Sequence, residues 1–75
     1  MKKYEHIKAG DTVVTLEGYL TIKSISEAGL AWADEYIDTD DGEQEFSGEL
    51  KLTAQDIARR LRDYDGKNHN VIFER

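Results

Sequence analysis

The chain has no cysteine in its 75 residues, and no proline either. Without cysteine there is no disulfide framework, no thiolate nucleophile and no cysteine-based zinc site. Long apolar runs are missing too. None exceeds about five residues, against roughly twenty for a helix that crosses a bilayer. Behind Met1-Lys2-Lys3 there is no apolar stretch of the kind a secretory signal carries. These absences predict a cytoplasmic protein with no membrane partner, whose fold rests on its core alone. A chain this short makes one domain spanning residues 1–75 and buries only about 60% of its unfolded surface. That leaves no room for a cavity enclosing a cofactor, so none is expected, and net stability is a few kcal/mol.

What is present is acid, unevenly placed. Sixteen Asp and Glu oppose ten Lys and Arg, for a net charge of −6. Residues 24–50 hold nine of the acids and no Lys or Arg, while the remainder holds seven acids and ten bases. The first segment therefore carries −9 and the rest +3. The apolar residues make up 39% and come in patterned groups, which argues for a folded domain over a disordered tail.

From Asp11 onward the pattern is short strands between glycine turns, with strands expected over about 11–16, 19–26, 30–37, 43–52 and 70–74. Ile25 breaks the alternation set by Leu20 and Ile22, which predicts a bulge near Lys23-Ser24. Asp38-Thr39-Asp40-Asp41-Gly42 reads as a hairpin turn. Phe46, Gly48, Leu50 and Leu52 recur at period two and are assigned to one face. Trp32, alternating with Leu30 and flanked by Ala31 and Ala33, is assigned to the core. A helix is expected over about 54–64. Thr53 is its N-cap, Asp56 completes a capping box, and Gly66 ends it. Asp56 with Arg60 and Arg59 with Asp63 are spaced for i,i+4 pairing.

Ile7-Lys8-Ala9-Gly10-Asp11-Thr12-Val13-Val14, then Gly18 and Ile22, resembles the opening of KOW-type and related SH3-like barrels. The likeness implies a mainly β fold, a small five-stranded and strongly bent antiparallel sheet with one helix over an open end. An α+β two-layer arrangement of the same elements is the alternative. KOW domains use basic loops on RNA or on ribosomal and polymerase proteins, whereas the loops here are acidic.

The acidic segment invites three readings: a solvated hairpin, a surface for a basic partner, or a Ca²⁺ loop. An EF-hand frame starting at Asp38 puts Gly42 at position five where six is needed, so no metal site is assigned. The binding surface would consist of Asp34, Glu35, Tyr36, Asp38, Asp40, Asp41, Glu43 and Glu45. Alternate residues of a strand lie about 6.8 Å apart, close to the phosphate spacing of one nucleic-acid strand. Carboxylates at that pitch can occupy Lys/Arg sites.

A second surface, for nucleic acid, would use Tyr19, Arg59, Arg60, Arg62 and Lys67. The net charge and the small number of bases argue against it, and Arg62 is expected to pair with the acidic hairpin. Tyr4, Tyr19 and Tyr36 are candidate contact residues. His6 and His69 sit in polar stretches with no neighbouring nucleophile or orienting group, so no catalytic residue is assigned.

The expectation is a non-enzymatic module that engages the basic surface of a larger protein, as an inhibitor or nucleic-acid mimic. In size and charge the chain resembles acidic accessory proteins of phages and mobile elements, including anti-CRISPR and anti-restriction proteins. It is expected to be a monomer, or a homodimer joined through the edge of Val71-Ile72-Phe73.

Overall fold

The structure, a computed structural model, describes residues 3–62 and 69–74. In chain order its elements are β1 (Lys3–Ile7), β2 (Thr12–Val14), β3 (Gly18–Ile25), β4 (Leu30–Asp38), β5 (Gln44–Thr53), α1 (Ala54–Arg60) and β6 (His69–Phe73). Strands β2 to β5 form an antiparallel meander in sequence order, while β1 and β6 pair in parallel as a separate ribbon. Among the described residues the chain is thus mainly β with one helix, and its sheets are not closed.

The strand over Lys3–Ile7 is absent from the sequence expectation, and β6 joins it instead of a five-stranded antiparallel sheet. The reason is topological. A parallel pair between the two ends of a chain has no connecting turn to announce it.

One face of the meander holds the core. Val13, Leu20, Ile22, Ala31, Ala33 and Leu52 meet Ile57 and Leu61 of the helical segment and Ile7 of the ribbon, with Val71 and Phe73 packed beside them. Leu20, Ile22 and Ile57 are fully buried, each worth about 1.5–3 kcal/mol of transfer free energy. On this face α1 and the ribbon pack against the sheet.

The expected bulge is present, as a register shift between Ile22 and Ser24. A second bulge is not foreseen by the period-two pattern. Glu35 faces Gly48 while Tyr36 faces Phe46, so Ser47 is an extra residue in β5. Gly48 absorbs it with φ +151°, a backbone state that side chains disfavour. Leu50 and Leu52 stay on the core side, but Phe46 crosses to the other face and is 60% exposed.

Trp32 also departs from its core assignment. Ala31 and Ala33 are the buried members of that alternation, and Trp32 is 39% exposed on the outer face. Gly18 is required for a different reason. A Cβ there would sit 2.1 Å from the Tyr36 carbonyl oxygen, so only glycine lets β3 begin against β4.

The helix starts as expected. The Asp56 N–H donates to the Thr53 hydroxyl and the Thr53 N–H to the Asp56 carboxylate, both at 3.1 Å. It ends earlier, with Leu61 already extended at ψ 140°. Tertiary pairing overrides local propensity here. Leu16 N–H donates to the Arg60 carbonyl, Arg62 N–H donates to the Val14 carbonyl, and Thr15 bridges Leu61, so the helix exit lies along β2. The positions of Asp63, Gly66 and Lys67, and with them the Arg59–Asp63 pair, lie outside the described residues.

Candidate functional site

Strand alternation that buries Leu20 and Ala33 turns Tyr19 and Tyr36 to the opposite face. Register then aligns them across the sheet: Val14 beside Tyr19, Tyr19 beside Tyr36, and Tyr36 beside Phe46. The Tyr19 and Tyr36 rings stack at 4.7 Å with 10° between their planes. Phe46 meets Tyr36 edge-on at 5.6 Å and 63°. Helix and ribbon pack on the other face, so the row is open to solvent, with Val14 48% exposed and the two tyrosines half-buried against each other. Tyr4 lies in β1, and its side chain is outside the described residues.

Two further rows share this outer face. Thr12, Thr21, Asp34 and Glu49 align in the next row, where the Lys23 ammonium lies 3.7 Å from Asp34 and bonds Glu49. The bond to Glu49 and the charge of Asp34 raise the lysine pKa above its ordinary value. Beyond it, Lys51 sits 5.3 Å above the centre of the Trp32 ring, a cation–π contact.

The acids proposed from sequence divide into three groups. Asp38, Asp40, Asp41, Glu43 and Glu45 gather at the β4–β5 hairpin, all exposed. Within it Asp41 is structural. Its carboxylate accepts from the Thr39 hydroxyl and, at 3.3 Å, from the Glu43 N–H, and these bonds lower its pKa, the hydroxyl most. Asp38 accepts from the Gln44 amide at 2.9 Å and has the Arg62 guanidinium 3.9 Å away. Asp40, Glu43 and Glu45 make no ion pair among the described residues. Asp34 belongs with Lys23. Glu35 points to the core side, where its carboxylate is 13% exposed and bonds Arg60 at 3.2 Å. It is therefore not presented on the outer face with the others.

The basic residues are largely committed inside the molecule. Arg60 turns to Glu35 instead of forming the expected helical pair with Asp56, and Arg59 takes up Asp56 at 4.0 Å. Arg62 reaches the hairpin as anticipated. Tyr19 lies in the aromatic row, away from the exposed side of α1.

The two chain ends do meet, through β1 and β6. Register places His69 opposite Lys3, three positions from His6, and His6 Nδ1 lies 3.3 Å from Glu74. A concavity of about 450 Å³ opens beside His6, lined also by Glu5, Asp11 and Arg62. Asp11 there accepts the Lys8 N–H at 3.0 Å, and Arg62 reaches Asp38. Among the described residues no group of three or more His, Asp or Glu is arranged to hold a metal ion. No helix among them is long and apolar enough to cross a membrane.

Phe46, Val14 and Trp32 are the outer-face residues that sequence reasoning missed. The Ser47-Gly48 pair inside an otherwise alternating strand was the available signal, since an isolated glycine in a strand marks a bulge. In comparisons with known proteins, the chain matches no family model, no curated protein and no solved structure.

Proposed function

We propose that the chain is a non-enzymatic acidic binding module that engages a basic site on a larger protein, as an inhibitor or nucleic-acid mimic. The observation that carries this reading is the placement of charge. Five exposed acids crowd one hairpin, four of them without an ion-pair partner among the described residues, while Arg60 and Arg59 of α1 and Arg62 just beyond it are tied to Glu35, Asp56 and Asp38. The free charge of the hairpin is therefore negative, and a partner bringing Lys or Arg to it releases counterions as it would from nucleic acid. The same commitments weaken the nucleic-acid reading, because binding a phosphate would first break an existing pair.

The β2–β5 meander followed by a helix supports kinship with opened SH3-like barrels. The likeness to phage accessory proteins rests on size and charge and supplies a class of partner, a nucleic-acid-processing protein of the host.

The test uses Asp40→Lys with Glu43→Lys, two positions whose side chains the turn does not use, and spares Asp41, whose carboxylate it does. Affinity capture from the source lysate with a salt-step elution should lose the partners held by the unmodified chain. Identical capture and an identical elution profile would remove the proposal.

A further inference from the structure

The outer face carries three rows of side chains, and the two away from the hairpin already hold a cation of their own. Lys51 lies over Trp32, and Lys23 sits between Asp34 and Glu49. The row of Tyr19, Tyr36 and Phe46 has no cation over its rings among the described residues. It adjoins the acidic hairpin, and the carboxylates that flank it on the sheet are held by Arg62 on one side and Lys23 on the other. Asp38 lies two residues beyond Tyr36, and Asp34, two residues before it, pairs across to Glu49. Two residues of strand span about 6.8 Å.

With 60% of Phe46 exposed and its plane tilted 63° from Tyr36, a ring face is open to solvent beside those acids.

A flat cation suits this setting better than a compact one. A guanidinium stacks on an aromatic face while its edge donates to a carboxylate several ångströms away, and it sheds water more readily than an ammonium. We infer that the Phe46–Tyr36 end of the sheet is an arginine-recognition site. Its occupant is an arginine-bearing segment of the basic protein partner, whose guanidinium lies on the Phe46 ring. The segment's charge meets Asp40, Glu43 and Glu45 of the adjoining hairpin, which have no ion-pair partner among the described residues. This deepens the proposed function and rests on it. Hairpin charge alone makes the protein bind any polycation, whereas the aromatic row makes it choose arginine.

The experiment compares deca-arginine with deca-lysine by fluorescence anisotropy at 150 mM salt, using the full chain. Equal charge cancels the contribution of the hairpin. The site predicts binding of deca-arginine tighter by about fivefold. Phe46→Leu keeps an apolar side chain at that position and removes the π-face. It should bring the ratio to near one with the far-UV circular dichroism unchanged, and Phe46→Tyr should restore it.

Equal affinity for the two peptides in the unmodified chain, or a preference that survives Phe46→Leu, overturns the arginine site and leaves the acidic module standing. Failure of both peptides to bind even at 20 mM salt overturns both readings. A concentration-dependent dimer in sedimentation that Phe46→Asp dissolves makes a second copy the occupant and also overturns the arginine site.

Discussion

Replacing Gly18 by alanine tests the junction on which the aromatic row depends. The added Cβ would lie 2.1 Å from the Tyr36 carbonyl oxygen, 2.9 Å from the Ile37 Cα and 3.0 Å from the Tyr36 carbonyl carbon. All three atoms are backbone, so no side chain can rotate away. Restoring ordinary contact moves β4 by about 1 Å at the point where Asp38 N–H donates to the Glu17 carbonyl at 2.7 Å. Overpacking of this kind costs about 1–3 kcal/mol, and loss of the neighbouring hydrogen bond adds about 1 kcal/mol. The expected destabilisation is about 2–4 kcal/mol, most of what a domain this small possesses.

Urea unfolding followed by far-UV circular dichroism measures it. With a slope of about 1 kcal/mol/M, the midpoint should fall by about 2–4 M, or the variant should be unfolded in buffer. Near-UV dichroism from the Tyr19–Tyr36 stack should weaken in any folded fraction. Gly48→Ala is the companion, because nothing lies within 4 Å of its Cβ and its cost of about 1–3 kcal/mol comes from φ alone. A shift below about 0.5 M for Gly18→Ala would refute the Gly18–Ile37 register, and with it the alignment of the tyrosines.

Two further outcomes follow from the helix. Arg60→Ala should cost about 1–2 kcal/mol, since it strands a carboxylate at Glu35 that is mostly out of water, and a loss no larger than that of Arg59→Ala would contradict the pair. The Asp56 carboxyl is held below its ordinary pKa, chiefly by the Thr53 N–H and then by the Thr53 hydroxyl. Its contribution is therefore complete above the unfolded-state value near about 4 and is lost as pH falls through the lower folded value. An NMR titration of the Thr53 amide should show its midpoint under the ordinary aspartate value, and a midpoint at or above it would exclude the capping box.

The parts of this fold that local chemistry decides could be read from the residues. The capping box at Thr53 and Asp56 needs only four residues, and the bulge after Ile22 shows in a broken alternation. The turn at Asp38–Gly42 is spelled out by its composition. What escaped depends on partners distant in sequence. Nothing in Lys3-Tyr4-Glu5-His6-Ile7 announces a strand until His69–Phe73 lies beside it.

The phase of β4 was misread because Ala31 and Ala33 look like spacers around a core tryptophan, when the covered layer takes the small residues and leaves Trp32 outside. One extra residue at Ser47 then sent Phe46 to the same side. For the site, the concentration of acid at the hairpin was legible, but the inward turn of Glu35 toward Arg60 and the aromatic row were not.

The parallel ribbon has a kinetic meaning. Bringing Lys3 to His69 closes nearly the whole chain into a loop, which costs about 2 kcal/mol more in entropy than closing a hairpin of a few residues. The meander, built from neighbours in sequence, assembles without that cost, so the ribbon joins last in folding and opens first in native-state hydrogen exchange. Its opening uncovers Ile7 and the core side of the sheet. The hairpin acids and the aromatic row lie in the meander and keep their geometry throughout, so partner affinity should be insensitive to fraying at the two ends.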